Sequence, residues 1–160
     1  MFRIKQCVVY PGHGIGYIEK IEKKEVLGVK QKYYVIHMED KKMRVFLPIE
    51  KAEEYGLRPV VTPAGLKKIF SIFRSKKKIK IDKDWKIRYQ TFMAMARSKD
   101  FRQTAAVLKE MNRRYLKDEL SIMERKLMEN TLHLMILEIA HVKKIPVDKA
   151  EELVRKYLKR

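Results

Sequence analysis

A glycine-rich segment near the N-terminus is the first candidate for chemistry. Residues 10–16 read YPGHGIG, and the backbone amides of such a loop can bind phosphate. A P-loop requires Lys and then Ser or Thr directly after its last glycine, but Tyr17 follows Gly16. A dinucleotide-binding loop opens a helix, whereas β-branched and aromatic residues follow here. We therefore interpret the glycines as a tight hairpin between two strands.

The histidines do not indicate a metal site or a catalytic centre. His13, His37, His133 and His141 show no Cys/His or carboxylate spacing typical of zinc ligands. Nucleophilic catalysis requires a nucleophile, a base and an orienting group, and no such set is marked. The sequence therefore predicts no enzymatic activity, no cofactor, no metal and no small-molecule substrate.

The single tryptophan, Trp85, lies among cations at the predicted start of a helix. Two interpretations stay open at this point. Its spacing with Tyr89 and Phe92 places Trp85 on an apolar stripe, where it would anchor a core. Exposed beside Lys86 and Arg88, it would instead wedge between bases while the cations bind phosphates. Stacking on an exposed base contributes about 1–3 kcal/mol.

The charge of the chain points to a polyanionic partner. The 160 residues carry 38 Lys and Arg against 20 Asp and Glu, a net charge of +18. Residues 1–60 hold 12 basic and 8 acidic groups, residues 61–90 hold 10 and 2, and residues 91–160 hold 16 and 10. Nucleic acid is the commonest partner of so basic a surface. No helix is rich enough in Arg, Asn or Gln to read bases, so we expect nonspecific phosphate contacts.

A membrane partner is not indicated. No apolar run reaches the roughly 18–20 residues of a spanning helix, and the N-terminus lacks the apolar core of a signal peptide. The lone Cys7 has no internal disulfide partner, which fits a reducing cytoplasm. We expect a cytoplasmic protein.

The elements that position these residues change in kind after Thr62-Pro63. Strands are predicted near residues 7–10, 15–21, 33–38, 43–47 and 57–61, with one helical turn at 51–54. They indicate a small, strongly bent sheet or open barrel over residues 1–62. Residues 63–160 are predicted to form a compact helical bundle, so that the fold class is α+β with two domains.

Cap signals place the helices of the second domain. The N-caps predicted are Thr62, Asp82 or Asp84, and Ser121, the last in a capping box with Glu124, and another helix is predicted to start near Asp100. Residues 131–137 are apolar on nearly every face, as in the centre of a bundle. Ile145-Pro146 ends that helix, and a last helix is predicted from residue 147 to 158.

Several motifs, taken in order, resemble the CarD/CdnL family of RNA polymerase-binding transcription regulators. They are VVYPGHGIG at 8–16, LP at 47–48, GLRPV at 56–60, DWKIRY at 84–89 and LS with ERKLM at 120–128. The resemblance covers about residues 2–140. Each motif alone is weak, but the order of the set is specific.

The resemblance implies both a fold and a function. Domain 1–62 would be Tudor-like, similar to the polymerase-interacting module of the transcription-repair coupling factor, and would bind the RNA polymerase β subunit. Domain 63–160 would contact promoter DNA at the upstream fork of the bubble, with Trp85 as a wedge. Such a bacterial regulator would stabilise the open promoter complex and associate with the nucleoid through the polymerase.

The resemblance also implies site residues. The DNA-binding residues would be Trp85, Lys86, Arg88, Arg125 and Lys126. The polymerase-binding residues would be Lys24, Arg44 and Phe46. Lys24 stands where the family has an arginine and so loses the forked donor geometry. Phe46 stands where the family has a second arginine, for which Arg44, two residues away on the same strand face, is the candidate substitute. Gln90 replaces a DNA-contacting lysine.

A second function remains open on charge alone. A sequence-tolerant RNA- or ribosome-binding module would carry the same basic excess, and its β-domain would bind RNA and not the polymerase. Stronger binding to structured RNA than to a forked promoter duplex would favour this alternative.

Overall fold

The computed structural model describes residues 1–159 and has an α+β fold. The chain divides into two compact units, Met1–Val60 and the residues from Val61 onward. Each unit has its own hydrophobic core. The first is all β apart from one short turn, and the second is all α, as the sequence predicts.

The N-terminal unit is a five-stranded antiparallel sheet with the strand order β4-β3-β2-β1-β5. The strands are β1 (Cys7–Tyr10), β2 (Gly14–Val26), β3 (Val29–Met38), β4 (Arg44–Pro48) and β5 (Arg58–Pro59). A 3-10 turn, Ile49–Lys51, stands slightly before the helical turn expected at 51–54. Strands β4 and β5 form the two edges of the sheet.

The glycine-rich segment is a hairpin turn, which confirms its structural interpretation. Residues 11–13 connect β1 to β2, and Gly12 has a left-handed φ of 85°. Gly16 pairs with Met38 on β3, where a Cβ atom would lie 2.5 Å from the carbonyl oxygen of His37. Only glycine allows this close approach of the two strands.

The hairpin of β2 and β3 is longer than predicted. Strand β3 begins at Val29, four residues before the expected start, because the polar residues 30–32 pair through their backbones with residues 23–25. Leu27 and Gly28 form the turn, with φ of 52° and 80°. The hairpin end is exposed on both faces, so its sequence lacks the alternation of a half-buried strand.

The second unit contains five helices. They are α1 (Pro63–Arg74), α2 (Trp85–Ala96), α3 (Phe101–Leu116), α4 (Ile122–Lys143) and α5 (Val147–Leu158). Side chains of Thr62, Asp84, Asp100 and Ser121 cap the first four. The caps at Thr62, Asp84 and Ser121 and the helix start near Asp100 confirm the predictions from sequence. These caps are local contacts, and they set where each functional helix begins.

Helix α4 supplies much of the core of this unit. Met135, Ile136 and Ile139 are buried, as expected for the apolar stretch. The buried carboxylate of Glu138 accepts a hydrogen bond of 2.9 Å from the backbone amide of Val61. Lys144 ends α4 in a left-handed conformation. Among residues 1–159, no helix combines the length and the apolar character needed to span a bilayer.

Candidate nucleic-acid and protein interfaces

Trp85 is the first residue of α2, and its side chain projects into solvent. The carboxylate of Asp84 accepts hydrogen bonds from the amides of Lys86 and Ile87, which fixes the start of the helix. Trp85 is 59% exposed, whereas Phe92 on the same helix is fully buried. The interpretation of Trp85 as a core anchor is therefore wrong, and Phe92 has that role.

An apolar groove lies beside Trp85. It has a volume of about 240 Å³ and is lined by Trp85, Tyr89, Ser121, Ile122 and Met123. Ile122 is 87% exposed, although its side chain is aliphatic. Exposed aliphatic residues on the first turn of α4 and an exposed indole on the first turn of α2 thus form one surface, which we call the indole groove. Sequence reasoning missed Ile122 and Met123.

A buried ion pair holds together the two helix starts that form the indole groove. Arg88 donates from Nε to Glu124 Oε1 at 2.6 Å and from a terminal nitrogen to Oε2 at 3.2 Å. The Glu124 side chain is 1% exposed and that of Arg88 16%. Glu124 also accepts from the amide of Ser121, while the Ser121 hydroxyl accepts from the amide of Glu124. The predicted capping box is therefore confirmed.

The electrostatics of this pair favour the charged state. Burial raises the pKa of Glu124, but hydrogen bonds from Arg88 and from Ser121 outweigh burial, so that the pKa lies below its ordinary value. An ionised Glu124 in turn satisfies the guanidinium of Arg88. The structure thus places Arg88, predicted to contact DNA, inside an internal ion pair.

The other predicted DNA-binding cations lie at the same helix starts. Lys86 is exposed, and its ammonium group is 5.7 Å from the centroid of the Trp85 ring. Lys126 is exposed on the second turn of α4. Arg125 is paired with Asp118, and its guanidinium is 5.5 Å from the centroid of the Tyr115 ring. Of the predicted DNA-binding cations, Arg88 and Arg125 therefore have acidic partners, whereas Lys86 and Lys126 form no ion pair within residues 1–159.

In the N-terminal unit, the predicted polymerase-binding residues lie on the β2–β3–β4 part of the sheet. The ammonium group of Lys24 is 3.7 Å from the centroid of the Phe46 ring, a close cation–π contact. Phe46 is 43% exposed on edge strand β4. The half-buried Lys24 and the exposed Phe46 therefore form one surface feature, although they are far apart in sequence.

Arg44 has a different neighbour. Its Nε donates to Glu19 Oε2 at 2.7 Å, and both groups are partly exposed. The hydrogen bond from Arg44 lowers the pKa of Glu19. Arg44 and Phe46 are both exposed and separated by the half-buried Val45, which agrees with their placement on one strand face. An edge strand with such side chains is suited to bind a protein strand.

Comparisons with known proteins agree with this architecture. The CarD-like/TRCF RID domain model matches residues 2–61, and the CarD C-terminal domain model matches residues 68–155. The chain is also 34% identical, over 145 residues, to the "Putative transcription factor YdeB" of Bacillus subtilis (strain 168). That alignment covers 91% of this chain and 94% of the relative.

The sheet unit, the basic helical unit and these matches define a two-domain transcription regulator with an RNA polymerase-interacting domain. The chain belongs to the CarD/CdnL family, as its motifs indicate.

Proposed function

We propose that this protein binds the RNA polymerase β subunit through its sheet unit and stabilises the open promoter complex through its helical unit. Trp85 is the wedge, placed against separated strands at the upstream edge of the bubble. The observation that carries the proposal is the exposed indole beside an apolar groove, in a unit with an excess of cations.

An exposed tryptophan in this position favours contact with bases. Indole area left in water is available for burial against a base, and stacking contributes about 1–3 kcal/mol. Ile122 and Met123 extend the apolar surface on which an unstacked base can rest. Bases held in the paired stack do not expose this face, so that the contact favours melted DNA.

The cations near the indole groove have two roles in this proposal. Lys86 and Lys126 are exposed and bind backbone phosphates. Arg125 joins them by exchanging Asp118, whose side chain is 85% exposed, for a phosphate. Arg88 is a positioning residue, because its charge is already matched by the buried Glu124. It holds the start of α2, and therefore Trp85, beside the start of α4.

The sheet unit supplies the attachment to the enzyme. Lys24 and Phe46 present a cation and an aromatic face together, and Arg44 adds a forked donor on edge strand β4. Aromatic residues, Phe among them, and Arg are enriched in protein interfaces relative to the rest of the surface. Attachment raises the local concentration of the helical unit at the promoter, so its own DNA affinity can be low.

The proposal predicts a shift between two promoter states. A ligand changes an equilibrium only by its differential affinity for the two states. If Trp85 stacks only in the melted state, its 1–3 kcal/mol correspond to a change of about 5- to 150-fold in the lifetime of that state.

The direct test measures open-complex lifetime with purified polymerase and promoter, with and without the intact protein. Trp85→Ala should remove most of the effect, and Trp85→Phe should keep part of it. Neither variant should lose binding to the polymerase or lower the melting temperature, because Trp85 is exposed. A lifetime unchanged by Trp85→Ala would contradict the wedge.

Tighter binding to structured RNA than to a forked duplex would favour an RNA-binding module.

A further inference from the structure

The connection between α1 and α2 is a strongly basic loop. Residues 75–83, which we call the lysine loop, contain no helix or strand. Its five lysines are all exposed: Lys76, Lys77, Lys78, Lys80 and Lys83. Ile79 and Ile81 are partly buried, and Ile81 packs against the core of the helical unit. The loop thus packs Ile81 inward and leaves its ammonium groups in solvent.

A lysine of α3 holds this loop in place. The ammonium group of Lys109 donates to the backbone carbonyls of Ser75 at 2.7 Å and Lys77 at 2.8 Å. Burial lowers the pKa of Lys109. The Ser75 hydroxyl also accepts from the amide of Lys77 at 3.1 Å. The lysine loop is therefore attached to the bundle through its own backbone, which leaves its side chains available.

The charge of the lysine loop is not neutralised within the protein. Across residues 1–159, none of its five lysines forms an ion pair. The nearest acidic residues in sequence already have structural roles. Asp82 accepts from the amide of Asp84 at 2.8 Å, and Asp84 caps α2. A cluster of unpaired cations requires an external anion to reach its most favourable state.

We propose that the lysine loop is a second DNA-binding site, specific for the phosphate backbone of paired duplex. This inference rests on the proposed function, because it assigns the paired DNA beside the melted strands to a separate segment of the same unit. The lysine loop runs directly into Asp84 and Trp85. The helical unit therefore contacts both forms of DNA: the lysine loop binds the paired duplex, and Trp85 binds the separated bases.

The side chains of the lysine loop select duplex over single strands. Proteins that bind single strands combine cations with aromatic surfaces for stacking, and residues 75–83 contain no aromatic residue. Duplex carries about one charge per 1.7 Å of helix axis, so point charges alone bind it without reading sequence. An anionic membrane offers similar charge, but surface-bound segments normally also insert exposed apolar side chains, and both isoleucines of the loop are partly buried.

The test compares two full-length variants that each lose four positive charges. The loop variant carries Lys→Gln changes at 76, 77, 78 and 80. The control variant carries them at exposed lysines of the same unit: Lys143, Lys144, Lys156 and Lys159. Binding to a fully paired duplex without promoter sequence is measured over a series of salt concentrations, and circular dichroism verifies folding. Because the changed side chains are exposed, both variants should melt like the parent.

The expected result is a change in salt dependence for the loop variant. Each phosphate contact contributes about 0.9 to the slope of log affinity against log salt concentration. The loop variant should therefore lose about 2–4 units of slope and about tenfold or more in low-salt affinity. The control variant should keep most of the parent slope. Equal slopes for the two variants would overturn the proposal.

Two further measurements separate the alternatives. Trp85→Ala should keep the duplex slope and lose the preference for a forked duplex. If that preference persists while the loop variant loses slope, the wedge fails and the lysine loop stands.

Vesicles of phosphatidylglycerol and phosphatidylcholine should bind the loop and control variants equally. Selective loss of vesicle binding by the loop variant, with its duplex slope intact, would overturn the proposal in favour of a membrane surface.

Discussion

The two units each contain an Arg–Glu ion pair, and the pairs differ in burial far more than in length. The contact between Arg44 and Glu19 in the sheet unit is 2.7 Å, and the contact between Arg88 and Glu124 in the helical unit is 2.6 Å. The side chains of the first pair are 61% and 29% exposed, and those of the second 16% and 1%. Solvent screens the charges of the first pair, whereas the charges of the second pair are largely removed from water and depend on each other.

This difference extends to the other acidic residues. In the helical unit, Glu110, Glu124 and Glu138 are buried, and each accepts hydrogen bonds from the protein. In the sheet unit, no acidic side chain among residues 1–60 is buried. The helical unit thus uses acidic groups internally, and two of them hold Arg88, Arg113 and Arg114 in ion pairs. The cations that suit a unit that binds phosphates are the remaining exposed ones, chiefly lysines.

The largest expected effect is on the buried pair. Glu124→Gln should lower the free energy of unfolding of the helical unit by about 3 kcal/mol, because it leaves the guanidinium of Arg88 without a counter-charge. We take the lower end of the range for buried pairs, since Arg88 retains some contact with solvent. Hydrogen exchange of backbone amides measures each unit separately.

Two matched substitutions control this prediction. Glu19→Gln removes the corresponding carboxylate of the sheet unit, and Glu129→Gln removes an exposed carboxylate from α4 itself. Neither should change the stability of its unit measurably. If Glu19→Gln and Glu124→Gln have equal effects, burial does not distinguish the two pairs.

Acid should weaken the helical unit through the same carboxylates. Burial raises the pKa of Glu110, but hydrogen bonds from Arg113 and Arg114 outweigh it, and the pKa of Glu124 is likewise lowered. A carboxylate with a lowered folded-state pKa stabilises the fold above the unfolded pKa, near 4.3, and this contribution is lost as pH falls through the folded pKa.

Stability measured from neutral pH downward should therefore decrease below about pH 5. The stability difference between the parent and Glu124→Gln should narrow over the same range, because protonation neutralises the carboxylate that the substitution removes. A difference that stays constant with pH would mean that the charge of Glu124 does not contribute.

The local features of the fold were predictable from sequence, whereas the tertiary contacts of the site were not. Thr62, Asp84 and Ser121 cap helices through contacts within three residues, so short motifs reveal them. The pair of Arg88 and Glu124 joins residues 36 apart, and no spacing rule reports it.

Trp85 shows why a helical stripe is an incomplete guide to burial. Its spacing with Tyr89 and Phe92 is that of one helix face, but Trp85 is the first residue of α2. Ile122 is likewise the first residue of α4, so both side chains lie at helix ends, where neighbours that could cover them are fewer. The spacing of residues shows which face of a helix a side chain lies on. It does not show whether another element covers that face at the end of the helix.

A smaller effect is expected at the exposed surface of the sheet unit. Phe46→Ala should weaken binding to RNA polymerase about tenfold, near the lower limit for important interface aromatics. It should leave stability unchanged within about 0.5 kcal/mol, as for most surface changes. Tyr55→Ala is the matched control, because Tyr55 is 45% exposed against 43% for Phe46. A pull-down with full-length variants checks this. Equal losses for both variants would remove Phe46 from the interface.

The smallest expected effect concerns the attachment of the lysine loop. Lys109→Met keeps the length and the apolar stem of the side chain but removes both hydrogen bonds to the loop carbonyls. The five loop lysines remain, so the salt slope of duplex binding should not change. The affinity should fall about two- to fivefold, because a mobile loop loses more conformational entropy on binding.

Lys117→Met, at the exposed C-cap of α3, removes a charge from the same helix and should have no such effect. A lower slope for Lys109→Met would mean that Lys109 itself contacts phosphate. An unchanged affinity would mean that the order of the loop does not contribute. In the expected case, the half-buried Lys109 orders the exposed lysines of the loop by binding the loop backbone.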